Sequence, residues 1–230
     1  MLKKSILFLI IILTIFLNAC EDKSKPSPGD EIVDEEAKTN VESKALNKDL
    51  EMVSTTDEYG NMIEYSRRKS DFAKQGRYAR ANERGQLLEL AHYENDTLHG
   101  SRILFYEETG DTQIVENYSR GLFEGLYRTY HVNGIIEQEG PYVANVMDGT
   151  WTRYYDTGEL QEEVVFRDNN ENGPFKEYYE NGNLRAEGYY KDGDNEDGSL
   201  KLYNEEGELI RTMNCVKGIC KTIWKKESLQ

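Results

Sequence analysis

Histidine and cysteine are scarce in this chain, and motifs that carry catalysis are missing. Its 230 residues include 3 histidines and 3 cysteines. The histidines, His92, His99 and His131, do not have the spacing of a zinc site. The sequence also lacks the Gly-Lys-Ser/Thr loop that cradles phosphates and the Gly-x-Ser-x-Gly elbow of hydrolases. We therefore expect a protein that is not an enzyme and that holds no metal ion and no cofactor.

Large aliphatic residues are sparse, whereas tyrosine is abundant. Hydrophobic residues make up 37% of the chain, which nevertheless contains 16 tyrosines and 19 glycines. A tyrosine can bury its ring while its hydroxyl stays at the edge in water, which suits a thin apolar layer. This composition predicts an elongated protein without a thick core.

Positive charge is also in short supply. The formal net charge is −15, and an acidic surface repels phosphates and anionic headgroups. We expect no nucleic-acid partner. The acidity has a simple explanation in solubility, and a basic partner or a divalent cation remains an alternative.

The amino terminus contains the only long apolar run, and it has the features of an export signal. Lys3 and Lys4 precede an apolar stretch over residues 6–17, which is shorter than the roughly 20 residues of a membrane-spanning helix. The sequence Leu17-Asn18-Ala19-Cys20 that follows resembles a lipobox. This resemblance implies a signal peptide over residues 1–19, cleavage before Cys20 and acylation of its sulfur. The expected location is the cell envelope, as an outer-membrane lipoprotein that faces the periplasm or the surface, with the membrane held through the lipid. Ordinary secretion with a free Cys20 is the alternative.

Residues 20–50 contain many charges, two prolines and no aromatic residue. Such a segment cannot bury enough apolar surface to offset the entropy of ordering the chain. We interpret it as a flexible linker between the lipidated cysteine and a folded part.

From Gly76 onward the sequence repeats with a period of 24 to 25 residues. Each repeat has one glycine at its start and a second about nine residues later. The starting glycines are Gly76, Gly100, Gly125, Gly149, Gly173 and Gly198, and the turn glycines are Gly85, Gly110, Gly134, Gly158, Gly182 and Gly207.

Four apolar columns recur when the repeats are aligned on the first glycine, with Ser101 taking that role in the second repeat. The third residue is Tyr78, Ile103, Tyr127, Trp151, Phe175 or Leu200, and the sixth is Ala81, Tyr106, Tyr130, Tyr154, Tyr178 or Tyr203. After the turn come Leu87, Thr112, Ile136, Leu160, Leu184 and Leu209, and six residues later Tyr93, Tyr118, Tyr142, Phe166, Tyr190 and Cys215.

This pattern predicts one β-hairpin per repeat, with successive hairpins pairing into an antiparallel sheet. Asn-Gly pairs such as Asn133-Gly134 suit the turns because both residues tolerate positive φ. Trp151 and Tyr154 are three residues apart, so they cannot share a face of a flat strand. A bulge, a strong twist, or burial on both sides would resolve this conflict.

The pattern Gly-x-aromatic-x-x-Tyr-Tyr-x-x-Gly-x-Leu, present in Gly149–Leu160 and Gly173–Leu184, resembles the MORN-repeat variant family, which includes YwqK-family antitoxins. The resemblance covers residues 76–220 as six repeats. It implies a scaffold that binds a protein or an envelope polymer and supplies no catalytic residues. An exported immunity or antitoxin-type protein that binds a toxin is the second hypothesis, and an enzyme accessory module is the third. Residues 51–75 are expected to be a degenerate capping repeat, and residues 221–230 a tail.

Three further features allow more than one interpretation. Cys215 and Cys220 could form a disulfide that pins the last strand in an oxidising compartment. The acidic loop at residues 192–197 does not fit the EF-hand pattern, so polar turns explain it without calcium. Tyr155 and Tyr179 could line a ligand stripe, although packing between hairpins is the preferred interpretation.

Overall fold

The computed structural model describes residues 48–227, which contain β-strands and turns and no helix. The prediction of an all-β protein made of antiparallel hairpins is therefore confirmed. The predicted signal peptide, Cys20 and nearly all of the linker lie outside the described residues. No helix within residues 48–227 has the length and apolar character needed to cross a membrane.

The strands are β1 (Leu50–Thr56), β2 (Met62–Arg68), β3 (Lys74–Ala81), β4 (Leu87–Glu94), β5 (Thr97–Phe105), β6 (Thr112–Ser119), β7 (Leu122–Phe123), β8 (Gly125–Tyr130), β9 (Ile136–Val143), β10 (Val146–Met147), β11 (Gly149–Tyr154), β12 (Leu160–Arg167), β13 (Asn170–Tyr178), β14 (Leu184–Tyr190), β15 (Gly198–Tyr203), β16 (Leu209–Val216) and β17 (Ile219–Lys225).

The chain winds through the sheet as a meander, because each strand pairs antiparallel with its neighbour in sequence. Two first strands are split: β7 and β8 both pair with β6, and β10 and β11 both pair with β9. The pairs β3–β4, β5–β6, β7/β8–β9, β10/β11–β12, β13–β14 and β15–β16 are called units 1 to 6. Strands β1 and β2 form a further hairpin ahead of unit 1.

Every unit has a shift in strand register at the same place, next to the glycine turn. In unit 4, Arg153 pairs with Glu162 and Tyr154 pairs with Leu160, which leaves Gln161 as an extra residue. This is a β-bulge, and six equivalent bulges make it a regular part of the repeat.

Trp151 and Tyr154 lie on opposite faces of the sheet. The Tyr154 hydroxyl donates to a carboxylate oxygen of Glu139 at 3.4 Å. Glu139 pairs with Thr152, the neighbour whose side chain alternates with that of Trp151. The conflict noted in the sequence is therefore resolved because Trp151 and Tyr154 are covered on different faces of the sheet. The bulge lies in the partner strand, at Gln161.

The alignment expected for the second repeat is wrong by one residue. Gly100 pairs with Tyr118, just as Gly149 pairs with Phe166, so Gly100 and not Ser101 is the starting glycine. Arg102 therefore takes the third position and Phe105 the sixth, whereas Ile103 and Tyr106 fall outside these two columns. The reason is that the turn of unit 2 is one residue longer: the Gly110 N–H donates to the carbonyl four residues before it, whereas the equivalent N–H of Gly158 donates to the carbonyl three residues before it.

One side of the sheet, called the ring face, holds the main apolar cluster. Trp151, at 2% exposure, and Phe175, at 3%, are buried there although residues 48–227 form no second layer over the sheet. Each such side chain buried from water contributes about 1.5–3 kcal/mol to stability. The cluster comprises Trp151, Val164, Phe175, Ala186, Leu200 and Cys215, with Tyr127, Tyr142, Phe166 and Tyr190 packed against it.

Two glycines on the ring face make room for the largest rings. A Cβ atom on Gly140 would overlap the indole of Trp151, and one on Gly188 would lie 2.7 Å from Cε1 of Phe175. Neither glycine has a positive φ. Their role is therefore steric: each large ring lies over a neighbouring residue that has no side chain.

In units 1 and 2 the ring face is charged. Arg102, which occupies the column of Trp151, binds Glu89 at 2.6 Å and Glu116 at 3.1 Å. Glu116 also accepts a hydrogen bond from the Tyr118 hydroxyl at 3.0 Å. Burial lowers the pKa of Arg102, but bonds to the two glutamates outweigh it and raise that pKa. Burial and the nearby Glu116 raise the pKa of Tyr118 to about 12, so Arg102 keeps its charge and Tyr118 keeps its phenolic proton at neutral pH.

Four of the five turns between units are two-residue turns in which both residues have positive φ, such as Asp168-Asn169 (φ 52° and 63°), whereas units 5 and 6 are joined by a longer loop in which the Lys191 N–H donates to the Asn195 carbonyl. The two-residue turns have the type I′ geometry of tight hairpins. The Asn169 backbone N–H donates to the Met147 carbonyl at 3.2 Å, and the Met147 N–H donates to Asn169 Oδ1 at 2.8 Å. Asp96 and Asn145 make the same reciprocal pair with the unit before them, which ties consecutive units together.

At the carboxyl end, Cys215 and Cys220 are joined by a disulfide between β16 and β17. Strand β17 continues to Lys225. The boundary expected at residue 220 therefore falls inside a strand, and the repeat pattern extends into what was predicted to be a tail.

We expect Gly140→Ala to lower the free energy of unfolding by about 1–3 kcal/mol, because the new methyl group collides with the Trp151 indole. Urea denaturation measures the loss, and Thr150→Ala, at an exposed position beside Trp151, is the matched control. In a Trp151→Leu background the added cost of Gly140→Ala should vanish. An equal cost in both backgrounds would show that ring packing is not the reason for this glycine.

We expect Asn169→Gly to cost about 0.5–1.5 kcal/mol of stability, because the Met147 N–H loses its acceptor while glycine preserves the positive φ. The urea midpoint is again the measurement. Asp168→Gly is the control, since it makes the same change at the adjacent positive-φ residue, whose carboxylate accepts no hydrogen bond within residues 48–227. If the two variants lose the same stability, the reciprocal pair contributes nothing.

Candidate interaction surface

The side of the sheet opposite the ring face, called the open face, carries a row of apolar side chains across units 3 to 5. Leu126 pairs with Pro141, and Pro174 pairs with Tyr189, while Val165 lies between these two pairs. Leu126 is 38% exposed and Tyr189 is 42% exposed. The row crosses six strands, or about 24 Å at the usual strand spacing, and Thr150 of β11 lies in it opposite Val165. Trp151 and Phe175 of the ring face are buried, whereas Leu126 and Tyr189 of this row are open to solvent.

Charged pairs flank the apolar row on the open face. Arg128 Nε lies 2.8 Å from Glu139 Oε2, and Lys201 Nζ lies 2.8 Å from Glu187 Oε1. Between these pairs, Glu163 lies opposite Lys176. The open face therefore alternates positive and negative groups although the whole chain is strongly acidic.

The charge on Glu187 is stabilised by its neighbours. Hydrogen bonds from Lys201 and from the Tyr203 hydroxyl, at 2.8 Å each, lower the pKa of Glu187. The same contact with Glu187 raises the pKa of Lys201. Glu187 and Lys201 therefore both stay ionised at neutral pH.

A shallow groove lies at the carboxyl end of the apolar row. Its volume is about 240 Å³, and its walls include Pro174, Tyr189 and Ser199, with Lys176 and Lys201 beside them. A groove of this size accepts one side chain of a partner rather than a whole small molecule.

The four columns predicted from the sequence separate in the structure. The third-residue column (Tyr127, Trp151, Phe175) and the last column (Tyr142, Phe166, Tyr190) meet on the ring face. Tyr78 and Tyr93 pack together at 5.7 Å between ring centres in unit 1, and Tyr118 stacks on Phe123 at 4.6 Å. The sixth-residue tyrosines do not join this cluster. Tyr130, Tyr154, Tyr178 and Tyr203 are half-buried on the opposite side, and Leu160 and Leu184 pair with Tyr154 and Tyr178 at the bulges.

The turn glycines lie along the side of the sheet where the first strand of each unit ends, and this side is called the glycine-turn edge. The backbone φ of Gly85, Gly110, Gly134, Gly158, Gly182 and Gly207 lies between 79° and 92°. Asn133 and Asn181 do not share this conformation, so the Asn-Gly pairs form a different turn from the one predicted. The two-residue turns with two positive φ values lie at the other edge.

Side chains that follow the sixth column bind the next unit. The hydroxyls of Tyr155 and Tyr179 donate to the carbonyls of Tyr178 and Tyr203, at 2.8 Å and 2.9 Å. Tyr106 makes the same bond to Tyr130, and the His131 ring contacts the Tyr154 carbonyl at 3.0 Å. Tyr155 and Tyr179 are thus held by contacts between units, as in the packing interpretation.

No group of three or more histidine, cysteine or carboxylate side chains within residues 48–227 has a geometry that could hold a metal ion. The acidic loop at residues 192–197 instead binds its own backbone, and Asn195 Nδ2 donates to the Asp192 carbonyl at 3.3 Å.

The open-face row was missed in the sequence because its residues share no chemistry. Leucine, proline, valine and tyrosine at these positions form no column when repeats are aligned by residue type. The row could have been found from the alternation of side chains within each strand, since its residues are direct sequence neighbours of ring-face residues and so point to the opposite face.

Three stretches of the chain, residues 123–144, 147–168 and 171–192, match the family model of the MORN repeat variant. Among solved structures, the crystal structure of TarM is similar at 11% identity with a TM-score of 0.19, covering 70% of this chain and 27% of that one. The chain thus spans about a quarter of that protein's length. No curated protein matches the chain. The MORN-type repeats found by sequence are the part of the chain that forms the apolar row of the open face.

Proposed function

We propose that this chain is a non-enzymatic binding scaffold whose open face holds an extended stretch of a partner protein across units 3 to 5. The observation that carries the proposal is the exposed apolar row from Leu126 to Tyr189, which lies wholly within the three MORN-type repeats. Repeat arrays present extended binding surfaces of this kind.

A protein partner fits the open face better than an envelope polysaccharide does. Sugars stack on exposed flat rings, and the apolar row contains only one ring, Tyr189, among aliphatic side chains. The charged pairs beside the row, such as Arg128–Glu139, offer both signs to the side chains of a polypeptide. A toxin as the bound partner would make the chain an immunity protein.

We further propose that the scaffold is anchored in the cell envelope through acylated Cys20. The supporting observations are the lysines at positions 3 and 4, the apolar run over residues 6–17 and the lipobox-like sequence that ends at Cys20. Two or three acyl chains bury enough methylene groups to retain a protein at a bilayer without a membrane-spanning segment.

We expect Leu126→Ser combined with Tyr189→Ser to weaken partner binding at least tenfold, because both side chains are exposed in the free protein and would be removed from water in the complex, at about 1.5–3 kcal/mol for each fully buried side chain. The partner is first identified by cross-linking on membranes that contain the full chain, and the affinity is then measured with both purified proteins.

Val132→Ser is the matched control, since Val132 is 58% exposed but lies at the glycine-turn edge. Thermal unfolding followed by circular dichroism should be unchanged in all variants. Equal affinity of the wild-type protein and the Leu126/Tyr189 variant would rule out the open face as the binding surface. Capture of a glycan, with no protein cross-linked, would replace the protein partner by an envelope polymer.

We expect Cys20→Ala to move the protein from the membrane fraction to the soluble fraction without changing its affinity for the purified partner. Fractionation after cell lysis and metabolic labelling with a fatty-acid analogue measure the two parts of this expectation. Lys48→Ala, which alters another residue of the predicted linker, is the control. Anchoring by lipid would be contradicted if the Cys20→Ala variant stays in the membrane fraction and the wild-type protein takes up no fatty-acid label.

A further inference from the structure

Strand β17 is the first strand of a unit whose second strand does not occur within residues 48–227. It follows the positive-φ turn Lys217-Gly218, just as β13 follows Asp168-Asn169. Its only strand partner within residues 48–227 is β16. In each of units 1 to 6 the first strand also pairs with a second strand after the glycine turn. Strand β17 therefore presents on its other edge the backbone groups that a second strand would bind.

The side chains of β17 are unusually apolar for an exposed strand. Ile219 is 71% exposed, Ile223 is 67% exposed and Trp224 is 46% exposed. Strand edges that only need protection from water carry polar side chains. Three large apolar residues on one terminal strand are instead typical of a surface that is covered by a partner.

The charge of β17 is opposite to that of the rest of the chain. Lys217, Lys221 and Lys225 form no salt bridge within residues 48–227, whereas Lys226 binds Glu208 at 2.6 Å. Residues 217–226 contain no acidic residue, although the chain has 43 acidic and 28 basic residues in total. This terminal edge is therefore complementary to an acidic segment.

Units 1 to 4 show which charge the second strand carries where it pairs with a basic first strand. In each of them an arginine of the first strand binds a glutamate of the second strand, at N–O distances from 2.8 Å to 3.4 Å. The pairs are Arg80–Glu89, Arg102–Glu116, Arg128–Glu139 and Arg153–Glu162. A basic first strand is thus matched by an acidic second strand in four units, whereas unit 5 has the reverse order, with Glu177 on the first strand and Arg185 on the second.

We propose that β17 is a docking edge for an extended acidic segment of a partner protein, which adds to the sheet as the missing second strand. Backbone hydrogen bonds supply the attachment, and the lysines select carboxylates. A second copy of this chain is a poor occupant, since antiparallel pairing of two β17 strands would bring the lysines of both copies to one edge. This edge is separate from the open-face row, so the two sites can be tested independently.

A peptide taken from the chain itself provides a probe. The acetylated and amidated peptide Leu-Gln-Glu-Glu-Val-Val-Phe, residues 160–166, is the second strand of unit 4 and carries two carboxylates. We expect a fluorescent form to bind the full-length protein saturably, with an affinity that falls as ionic strength rises. Binding should also shield Trp224 from iodide quenching. A control peptide with Glu162→Lys and Glu163→Lys should bind at least tenfold more weakly.

The protein variants test the edge itself. Lys221→Glu with Lys225→Glu should weaken binding of the acidic peptide at least tenfold and restore binding of the lysine peptide. Lys69→Glu with Arg84→Glu, which changes the net charge equally at exposed sites outside β17 and outside the open-face row, should leave both affinities unchanged. Unfolding temperatures confirm that both variants fold.

Three outcomes would overturn the proposal: no saturable binding of the acidic peptide, equal affinity for the two peptides, or equal affinity of wild-type protein and the Lys221/Lys225 variant. A dimer in sedimentation velocity that disappears in that variant would also overturn it, by assigning the edge to a second copy. The Leu126/Tyr189 variant should bind the peptide normally, so failure here is distinguishable from failure of the open-face proposal.

Discussion

A sheet without a second layer has to bury its large side chains against one another, and this constraint governs the whole repeat. The indole of Trp151 is covered by rings of neighbouring strands and lies over Gly140, and Phe175 lies over Gly188 in the same way. A large ring on one strand is therefore placed beside a glycine on the next strand, as close packing requires. Because each ring depends on neighbours about 24 residues away, one hairpin by itself would leave its ring face in water.

The charged network of units 1 and 2 solves the same problem with different chemistry. Arg102 fills the column of Trp151, and its guanidinium is held by Glu89 and Glu116 on the adjacent strands. A buried charge is tolerated only when partners replace its lost hydration. The long arginine side chain covers the face much as a ring does. The ring face is therefore continuous although its composition changes from ionic to aromatic along the array.

Much of this architecture can be predicted from the sequence, because glycine and aromatic columns have a fixed period. The hairpins, the turn glycines and the packing of Trp151 with Phe166 all follow from that period. The alignment around Phe105 was wrong because the turn of unit 2 holds one extra residue, and the sequence does not show whether such a residue lies in the turn or in the strand before it. The bulge at Gln161 was one of several alternatives, because an extra residue in one strand leaves the repeat length unchanged. The open-face row depends on which residues lie side by side on adjacent strands, which the spacing of similar residues does not reveal.

The backbone hydrogen bonds made by the two-residue turns run in a fixed direction along the chain. Each two-residue turn donates a backbone N–H to a carbonyl of the unit before it, as Asn169 does to Met147 and Asp96 to Lys74. When a polypeptide is threaded through a channel amino terminus first, the acceptor emerges about 22 residues ahead of its donor. Every arriving turn thus finds its acceptor already outside the channel, and assembly can proceed by elongation of the sheet without waiting for the last residues.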